Sequence, residues 1–307
     1  MILALAGGVG GARLARGLAA VLPPERLSIV VNTGDDFEHL GFLICPDLDT
    51  VCYTLAGVNN LAQGWGLAGE SWAFMDAIGK LGGETWFNLG DRDLATHSIR
   101  RTMLGRHSLS EITAHLAGKF GIAHPIAPMS DDPVRSIVDT DEGELAFQHY
   151  FVRRRAEPRF RSIRFDGAEA ASPSPALIAA LDDPALEAII LCPSNPVLSI
   201  APILALPGIR ARLDARRVPI VAVSPFIGGR AVKGPAAKIM EEIGIATTAA
   251  GLISYYGGLL DGLVIDRGDA GESVAGVALH PTDTLMRGSE DQTRLAGEVL
   301  AFARSLR

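Results

Sequence analysis

Hydrophobic residues fall into short continuous runs along the chain, and each run ends at a polar or glycine-rich segment. Runs without alternation are typical of strands that are covered on both faces. Between them, apolar residues recur every three to four positions, which is the spacing of a helix. We predict strands at residues 2–6, 28–31, 188–191, 219–223 and 262–265, and helices at 12–22, 175–181, 202–213 and 236–243.

The alternation of strands and helices predicts an α/β fold, a doubly wound and mainly parallel Rossmann-like sheet. Right-handed crossovers would then bring the loops that follow the strands to one edge. Two regions interrupt the alternation: residues 50–121 have mainly helical patterns, with helices expected at 71–81 and 108–120, and residues 134–153 predict a β-hairpin that turns at 141–143. We expect a single domain over residues 1–307, with about 50–160 as an insertion over the functional edge.

Composition narrows the class of ligand. The 307 residues are 48% hydrophobic, and the formal net charge is −7 without a Lys/Arg-rich tract, which argues against nucleic acid as a partner. The three cysteines lack metal-ligand spacing and are expected to be buried thiols of a cytoplasmic protein. No apolar run is long enough to cross a membrane, and Met1 leads directly into the first predicted strand, which leaves no room for a signal peptide.

A cluster of glycines follows the first predicted strand, with Gly8, Gly10 and Gly11 among residues 7–11. A strand, a glycine turn and a helix together point backbone N–H groups and a helix N-terminus at an anion. The same glycines would also let the helix pack closely on the sheet. The cluster does not match the G-x-G-x-x-G fingerprint of dinucleotide enzymes, so the pattern favours an anionic ligand without identifying it.

Carboxylates concentrate in the next loops. Asp35 and Asp36 follow the second predicted strand, and Asp47 and Asp49 follow soon after. Oxygen ligands of this kind suit Mg²⁺, which binds one or two carboxylates and shares the phosphates of a substrate. Each aspartate taken alone could instead cap a helix or form a turn. His97 is either a ligand or a buried, hydrogen-bonded imidazole.

Later loops add groups suited to a nucleotide. Residues 194–196, Ser-Asn-Pro, follow a predicted strand and could hold a base or sugar, or could simply cap a helix. Lys233 and Lys238 flank Gly234, where a helix start and a point charge would suit phosphate. Arg92 stands between two aspartates and could bind a ligand or join a surface ion-pair network. No Ser–His–Asp, Cys–His or zinc pattern is present, which favours transfer chemistry driven by positioning and a metal.

Several of these segments resemble the 2-phospho-L-lactate transferase family of coenzyme F420 biosynthesis. The matching stretches cover most of residues 1–262. The most specific are Cys-Pro-Asp-Leu-Asp-Thr at 45–50 and Leu-Gly-Asp-Arg-Asp at 89–93. The resemblance implies that the terminal ribityl hydroxyl of the deazaflavin FO attacks the phosphate next to an organic acid in a guanylylated donor. GMP then leaves, with Mg²⁺ assisting, and a homodimer is expected.

The resemblance also implies residue roles. Asp49 and Asp36 are the catalytic candidates, with Asp49 and Asp35 as metal ligands. Asp49, Asn88 and Arg92 would contact the deazaflavin, although Asn88 departs from the basic residue expected there. Trp65 and Tyr53 are either stacking surfaces or ordinary packed aromatics. The nucleotide and phosphate positions are Gly8, Gly10, Gly11, Ser194, Asn195, Pro196, Gly229, Lys233, Gly234 and Lys238.

Two other functions compete with this one. A related group with the same glycine loop binds a nucleotide-sugar without catalysis, but that group is not expected to carry the segments at 45–50 and 89–97. An NAD(P) dehydrogenase is expected to have an acidic residue at the end of its second strand, where this chain has Asn32. The sequence therefore favours the transferase, without revealing whether the donor carries a phospholactyl, phosphoenolpyruvyl or phosphoglyceryl group.

Overall fold

The computed structural model describes residues 1–232, 234–271 and 273–307. In chain order the strands are β1 (Ile2–Ala6), β2 (Leu27–Val31), β3 (Phe37–His39), β4 (Phe42–Ile44), β5 (Ile126–Pro128), β6 (Arg135–Thr140), β7 (Gly143–Ala146), β8 (Phe160–Asp166), β9 (Ala188–Leu191), β10 (Ile220–Val223), β11 (Phe226–Ile227), β12 (Arg230–Ala231), β13 (Gly262–Asp266) and β14 (Ala278–Thr282). The helices are α1 (Gly8–Val21), α2 (Pro46–Ala56), α3 (Ala73–Lys80), α4 (Asp93–Met103), α5 (Leu109–Lys119), α6 (Pro175–Asp182), α7 (Ala201–Leu204), α8 (Ile209–Asp214), α9 (Ala236–Glu242), α10 (Ala249–Tyr256) and α11 (Ser289–Ser305).

A parallel sheet forms the centre of the molecule, with strand order β14-β13-β10-β9-β1-β2-β5. Strand β1 lies between β2 and β9, so the chain leaves it in one direction and later returns on its other side. Such a switch in direction opens a crevice at the carboxyl ends of the strands, where ligands of this architecture bind. The predicted Rossmann-like α/β fold is confirmed.

Each face of the sheet carries its own hydrophobic core, because alternate strand residues point to opposite sides. Ile2 and Ala4 pack with residues of α1, α2, α5 and α11, whereas Leu3 and Leu5 pack with residues of α6 to α10. All five residues of β1 are buried, which explains why its sequence is continuously apolar rather than alternating. Burying a side chain the size of leucine stabilises the fold by about 1.5–3 kcal/mol.

Helices α2 and α4 carry several of the candidate site residues. Helix α2 begins with Pro46, whose missing N–H is not needed at a helix start, and ends at Gly57, which adopts φ +70°. The predicted helices at 71–81 and 108–120 are confirmed as α3 and α5, and α5 starts with a capping box formed by Ser108 and Glu111. Among the described residues, we find no helix with the length and apolar character needed to span a bilayer.

Two predicted elements differ from the structure, and one strand is additional to the hairpin. The hairpin turns where predicted, but its second strand ends at Ala146, and His149–Arg153 forms a π-helical turn. Phe147 and Tyr150 are both buried, and their three-residue spacing suits a helical turn better than a strand. A third strand, β8, pairs with the other edge of β6. The predicted helix at 202–213 is divided into α7 and α8 by Gly208, which adopts φ +73°.

The outermost strands of the central sheet, β5 and β14, were not predicted. Both contain a proline, Pro128 and Pro281 respectively. Proline lacks a backbone N–H and is tolerated mainly at the edges of a sheet. A segment with proline is therefore not predicted as a strand from its sequence, although the edge of the sheet accommodates one.

Candidate active site at the carboxyl edge

The glycine loop joins β1 to α1 at the switch point of the sheet. The Gly7 N–H donates to Oγ of Ser194 at 3.1 Å, and the Gly8 N–H donates to Oδ1 of Asp47 at 2.7 Å. The side-chain amide of Asn32 donates to the other Asp47 oxygen at 3.0 Å. The carboxylate of Asp47 thus occupies the N-terminus of α1, where backbone dipoles favour a negative charge.

The other glycines allow close packing. A Cβ atom on Gly10 would lie 2.1 Å from the carbonyl oxygen of Pro193, and one on Gly11 would lie 2.5 Å from Oγ of Ser194. Gly8 adopts φ +62° with open space around it. Close packing of α1 on the loop after β9 therefore explains Gly10 and Gly11, and their contact with phosphate stays a prediction.

The loop after β9 contains a helix cap. Oδ1 of Asn195 accepts hydrogen bonds from the amides of Val197 and Leu198 at 3.0 and 3.1 Å, at the start of the turn Pro196–Ile200. The side chain of Asn195 therefore caps a helical turn, which is one of the two roles that the sequence allowed. Ser194 and Pro196 are both buried beside it.

The lysine segment has local partners of its own. Nζ of Lys238 donates to the carbonyl of Pro158 at 3.0 Å and to Glu242 at 2.8 Å. The carbonyl of Gly229 accepts from the hydroxyl of Thr247 at 2.7 Å. Gly234 adopts φ +73°, and the predicted site residue Lys233 lies outside the described residues.

Asp35 and Asp36 follow β2 and are buried, and Oδ1 of each lacks a hydrogen-bond partner. Burial raises the pKa of Asp36 to about 7, although the positive charge of Arg135 lowers it. Burial, followed by the negative charge of Asp47, raises the pKa of Asp35 well above its usual range. Burial also raises the pKa of Asp47 to about 6. Carboxyl groups in this state would gain from a nearby cation.

A second polar cluster forms where α2 meets α4. The first turn of α2 carries Asp49, and α4 presents Asp93, His97 and Arg100 on one face through their spacing of four and three residues. Arg100 is only 2% exposed and is ion-paired with Oδ1 of Asp49. The hydroxyl of Tyr53 donates to Oδ1 of Asp93.

This cluster contains a candidate metal centre. Asp49, Asp93 and His97 each offer one ligand atom, and the three atoms lie within 4.8 Å of one another. Oδ2 of Asp49 and Nε2 of His97 are buried without a hydrogen-bond partner. Asp35, the second predicted metal ligand, is not a member of this group.

The protonation of the cluster is set by its neighbours. Burial raises the pKa of Asp49, while the charge of Arg100 opposes the increase. Burial alone would also raise the pKa of Asp93, but contacts with His97 and Tyr53 outweigh it and hold that pKa below its usual value. The two carboxyls therefore differ. Asp93 favours its charged form, whereas the charged form of Asp49 would be stabilised further by any added positive charge.

A pocket lies over this cluster and is lined by Asp49, Asn88, His97, Trp65 and Phe87 among others. The structure therefore brings together Asp49 and Asn88, two of the three positions expected to contact a deazaflavin, whereas Arg92 does not line the pocket. Trp65 lies on the pocket rim and is 42% exposed, while Tyr53 is buried at its base. Arg92 is exposed, and its guanidinium donates to the carbonyl of Ala68 at 2.7 Å rather than to the flanking aspartates.

Sequence reasoning missed Asp93 as a site residue and missed Arg100 altogether. The missed signal is the polar stripe at positions 93, 97 and 100. On a helix these positions share one face, and a stripe with a histidine and an arginine beside apolar neighbours indicates a buried polar network.

Comparison with known proteins shows the family of the chain. Residues 2–288 match the family model described as 2-phospho-L-lactate transferase CofD. The chain is 42% identical to a phosphoenolpyruvate transferase of Kitasatospora aureofaciens, with 100% of this chain and 98% of the relative covered. It is 39% identical to a 2-phospho-L-lactate transferase of Methanosarcina mazei, with 96% and 98% covered.

A solved structure supports the fold alone. The crystal structure of a UPF0052 family member from Bacillus halodurans superposes with a TM-score of 0.62 at 12% identity, covering 97% of this chain and 98% of that one. Full-length matches at about 40% identity show more than a shared fold. The chain belongs to the 2-phospho-L-lactate transferase CofD family, whose members are transferases of coenzyme F420 biosynthesis.

Proposed function

We propose that this protein transfers a phospho-organic-acid group from a guanylylated donor to the terminal ribityl hydroxyl of the deazaflavin FO and releases GMP. The organic acid is phospholactyl, phosphoenolpyruvyl or phosphoglyceryl. Relatives named phosphoenolpyruvate transferase and 2-phospho-L-lactate transferase match at similar identity, 39–42% and 38–40%, so identity alone does not choose between these groups.

The observation that carries the proposal is the pocket over Asp49. It combines a buried carboxylate oxygen without a hydrogen-bond partner with aromatic walls at Trp65 and Phe87 and a side-chain amide at Asn88. Aromatic walls suit a flat tricyclic ring, and the amide offers both a donor and an acceptor to its polar edge. The free carboxylate oxygen suits the hydroxyl of a ribityl chain.

In the proposed reaction the ribityl oxygen forms a bond to the phosphorus next to the organic acid. The bond from that phosphorus to the bridging oxygen breaks, and GMP leaves with the electron pair. Asp49 or Asp36 accepts the hydroxyl proton, since both carboxylates have an oxygen that is free of hydrogen bonds. Because the reaction is a displacement at phosphorus, the protein contributes mainly position and charge.

The donor set of the candidate metal centre favours Mg²⁺. The guanidinium of Arg100 lies 3.1 Å from Nδ1 of His97 and can only donate, so Nδ1 uses its lone pair and the ring proton sits on Nε2. Oδ2 of Asp49 and the carboxylate of Asp93 then remain as oxygen ligands, which suits Mg²⁺. When bound, the cation would neutralise charge on the transferred phosphate.

We place the guanine nucleotide on the other side of the switch point, over the loop after β9 and the segment from Gly229 to Lys238. Both loops follow strands that end at the same edge as Asp49, which supports the assignment. The cap oxygen of Asn195 and the Glu242 partner of Lys238 are already engaged, so nucleotide contacts there would use other atoms or an exchange of partners.

The test is direct. Purified protein is incubated with FO, Mg²⁺ and each of the three guanylylated donors, and products are identified by mass. We expect one donor to give a phosphodiester of FO and an equal amount of GMP, with neither product when FO is left out. No phosphodiester from any donor would refute the proposal, and GMP release without FO would indicate a hydrolase instead.

A further inference from the structure

The two oxygens of Asp49 have different surroundings. Oδ1 is ion-paired with Nη2 of Arg100, whereas Oδ2 is buried without a hydrogen-bond partner beside the pocket. A carboxylate can rotate about its Cβ–Cγ bond and exchange its oxygens. The contact with Arg100 removes that freedom, because a charge-assisted bond to one oxygen fixes the orientation of the other.

Arg100 is itself fixed by other contacts. Its Nη1 donates to the carbonyl of Leu43 in β4 at 3.1 Å and lies 3.1 Å from Nδ1 of His97. A planar guanidinium held by acceptors on three elements has a defined plane. The side chain is 2% exposed, so water does not compete for its donors.

The same contact fixes His97. Since the guanidinium can only donate, Nδ1 is the acceptor and Nε2 carries the ring proton. Nε2 lies 3.3 Å from Oδ2 of Asp93, whose other oxygen accepts from the hydroxyl of Tyr53. The contacts of Arg100 thus leave Oδ2 of Asp49 as the oxygen without a hydrogen bond and Nε2 of His97 as the nitrogen that carries the proton.

We infer that Arg100 is a positioning residue of the transferase, which acts by holding Oδ2 of Asp49 toward the pocket and by fixing the Nε2–H form of His97. It does not touch substrate. The inference rests on the proposed function, because the effect of Arg100 on turnover is measured in that reaction. Which nitrogen of His97 carries the proton can be measured without any substrate.

The first experiment records long-range ¹⁵N–¹H spectra of the histidines, with His97 assigned by comparison with His97→Gln. We expect the wild-type signal of His97 to show the Nε2–H form. A ring that is protonated on Nδ1 alone would overturn the inference, whatever the activity. This measurement needs neither FO nor a donor, so it stands even if the transfer reaction is wrong.

The second experiment compares Arg100→Lys and Arg100→Met with the wild type in the transfer assay. We expect kcat to fall about 100-fold, the effect of a displacement near 1 Å, while KM for the guanylylated donor changes less than about threefold. Lysine keeps the charge but not the planar fork, so it should recover only part of the loss. A merely structural role would lower the amount of folded enzyme without changing kcat per folded molecule.

Arg101→Met is the matched control. Arg101 is an exposed neighbour on the same helix, and its guanidinium packs over the ring of Phe42 rather than against Asp49. We expect its kcat to stay within about twofold of the wild type. If wild-type protein transfers but folded Arg100 variants match Arg101→Met, the inference is wrong; if the wild type transfers nothing, the proposed function is wrong.

Folding of the Arg100 variants is checked by their near-ultraviolet circular dichroism. Removal of the guanidinium leaves Asp49 as an unpaired buried charge, which is destabilising. If the single variants do not fold, Arg100→Met combined with Asp49→Asn removes both charges. The wild-type His97 spectrum then decides the inference.

Discussion

Asp47 and Asp49 lie two residues apart in the first turn of α2, and their surroundings are opposite. Asp47 faces the glycine loop, and its oxygens accept from the Gly8 amide and from Asn32. Asp49 faces α4 and has one oxygen bound to Arg100 and one without a partner. A buried polar atom that the fold leaves without a hydrogen bond needs an explanation, and a catalytic role or a bound ion is one. Asp47 therefore stabilises the fold at the glycine loop, whereas Asp49 keeps one oxygen available for a ligand or for a reaction.

The largest expected effect comes from Asp49→Asn. Asparagine keeps an oxygen for Arg100 but loses the charge, so we expect GMP release to fall by about 1000-fold, the size of effect seen when a key electrostatic group is lost. The melting temperature should also fall, because asparagine leaves the buried guanidinium of Arg100 without its opposite charge, so GMP release is compared per folded molecule. Steady-state GMP release and thermal melting check both. Activity within tenfold of the wild type would place the essential carboxylate elsewhere, with Asp36 as the next candidate.

Gly10→Ala tests the close packing of the glycine loop, which stabilises the fold. Its Cβ would lie 2.1 Å from the backbone carbonyl of Pro193, which cannot move aside without shifting the loop. We expect a loss of about 2–3 kcal/mol in the free energy of unfolding, measured with urea. Gly8→Ala is the control: it meets no atom but needs φ +62°, a strain of about 1 kcal/mol. Equal losses would mean that close packing is not what Gly10 provides.

The pH dependence of Asp36→Asn gives a smaller and more specific effect. The folded pKa of about 7 is higher than the unfolded value of about 3.9, so between pH 4 and 7 the folded protein holds a proton that the unfolded chain has released. Asp36 therefore lowers stability as pH rises through this window. We expect Asp36→Asn to stabilise the metal-free protein by about 1–2 kcal/mol at pH 8, and by almost nothing at pH 4.

Urea denaturation at several pH values measures this difference. A stability gain that does not depend on pH would contradict an elevated pKa for Asp36, because the charge would then not be what destabilises the fold.

Divalent cation should give the smallest shift. A cation at Asp49 and Asp93 binds the folded state only, so we expect millimolar Mg²⁺ to raise the melting temperature of the wild type by a few degrees at pH 8. Asp49→Asn should lose most of this shift. Asp131→Asn, an exposed aspartate on another loop, is the control and should retain it. An equal shift in all three proteins would indicate a site elsewhere or nonspecific screening.

Local sequence explains which elements could be predicted. Strands β1 and β9 lie in the interior of the sheet, and both are apolar at every position. The edge strands β5 and β14 could not be found in this way, because an edge tolerates proline and polar residues. The ion pair of Lys238 does have a local signal, because Glu242 stands four residues after it, the helical spacing at which two side chains pair.

The sequence by itself determined the parallel α/β core and the placement of Asp35, Asp36, Asp47 and Asp49 at its carboxyl edge, because continuous apolar runs and the loops after them are local features. Only the tertiary structure decided which carboxylate has both oxygens in hydrogen bonds and which has one oxygen without a partner. That division depends on α4, which lies more than 40 residues beyond Asp49 and carries Arg100 against it. The polar stripe on α4 indicates a buried polar network, but it does not identify a partner so distant in the chain, since that contact exists only in the folded protein.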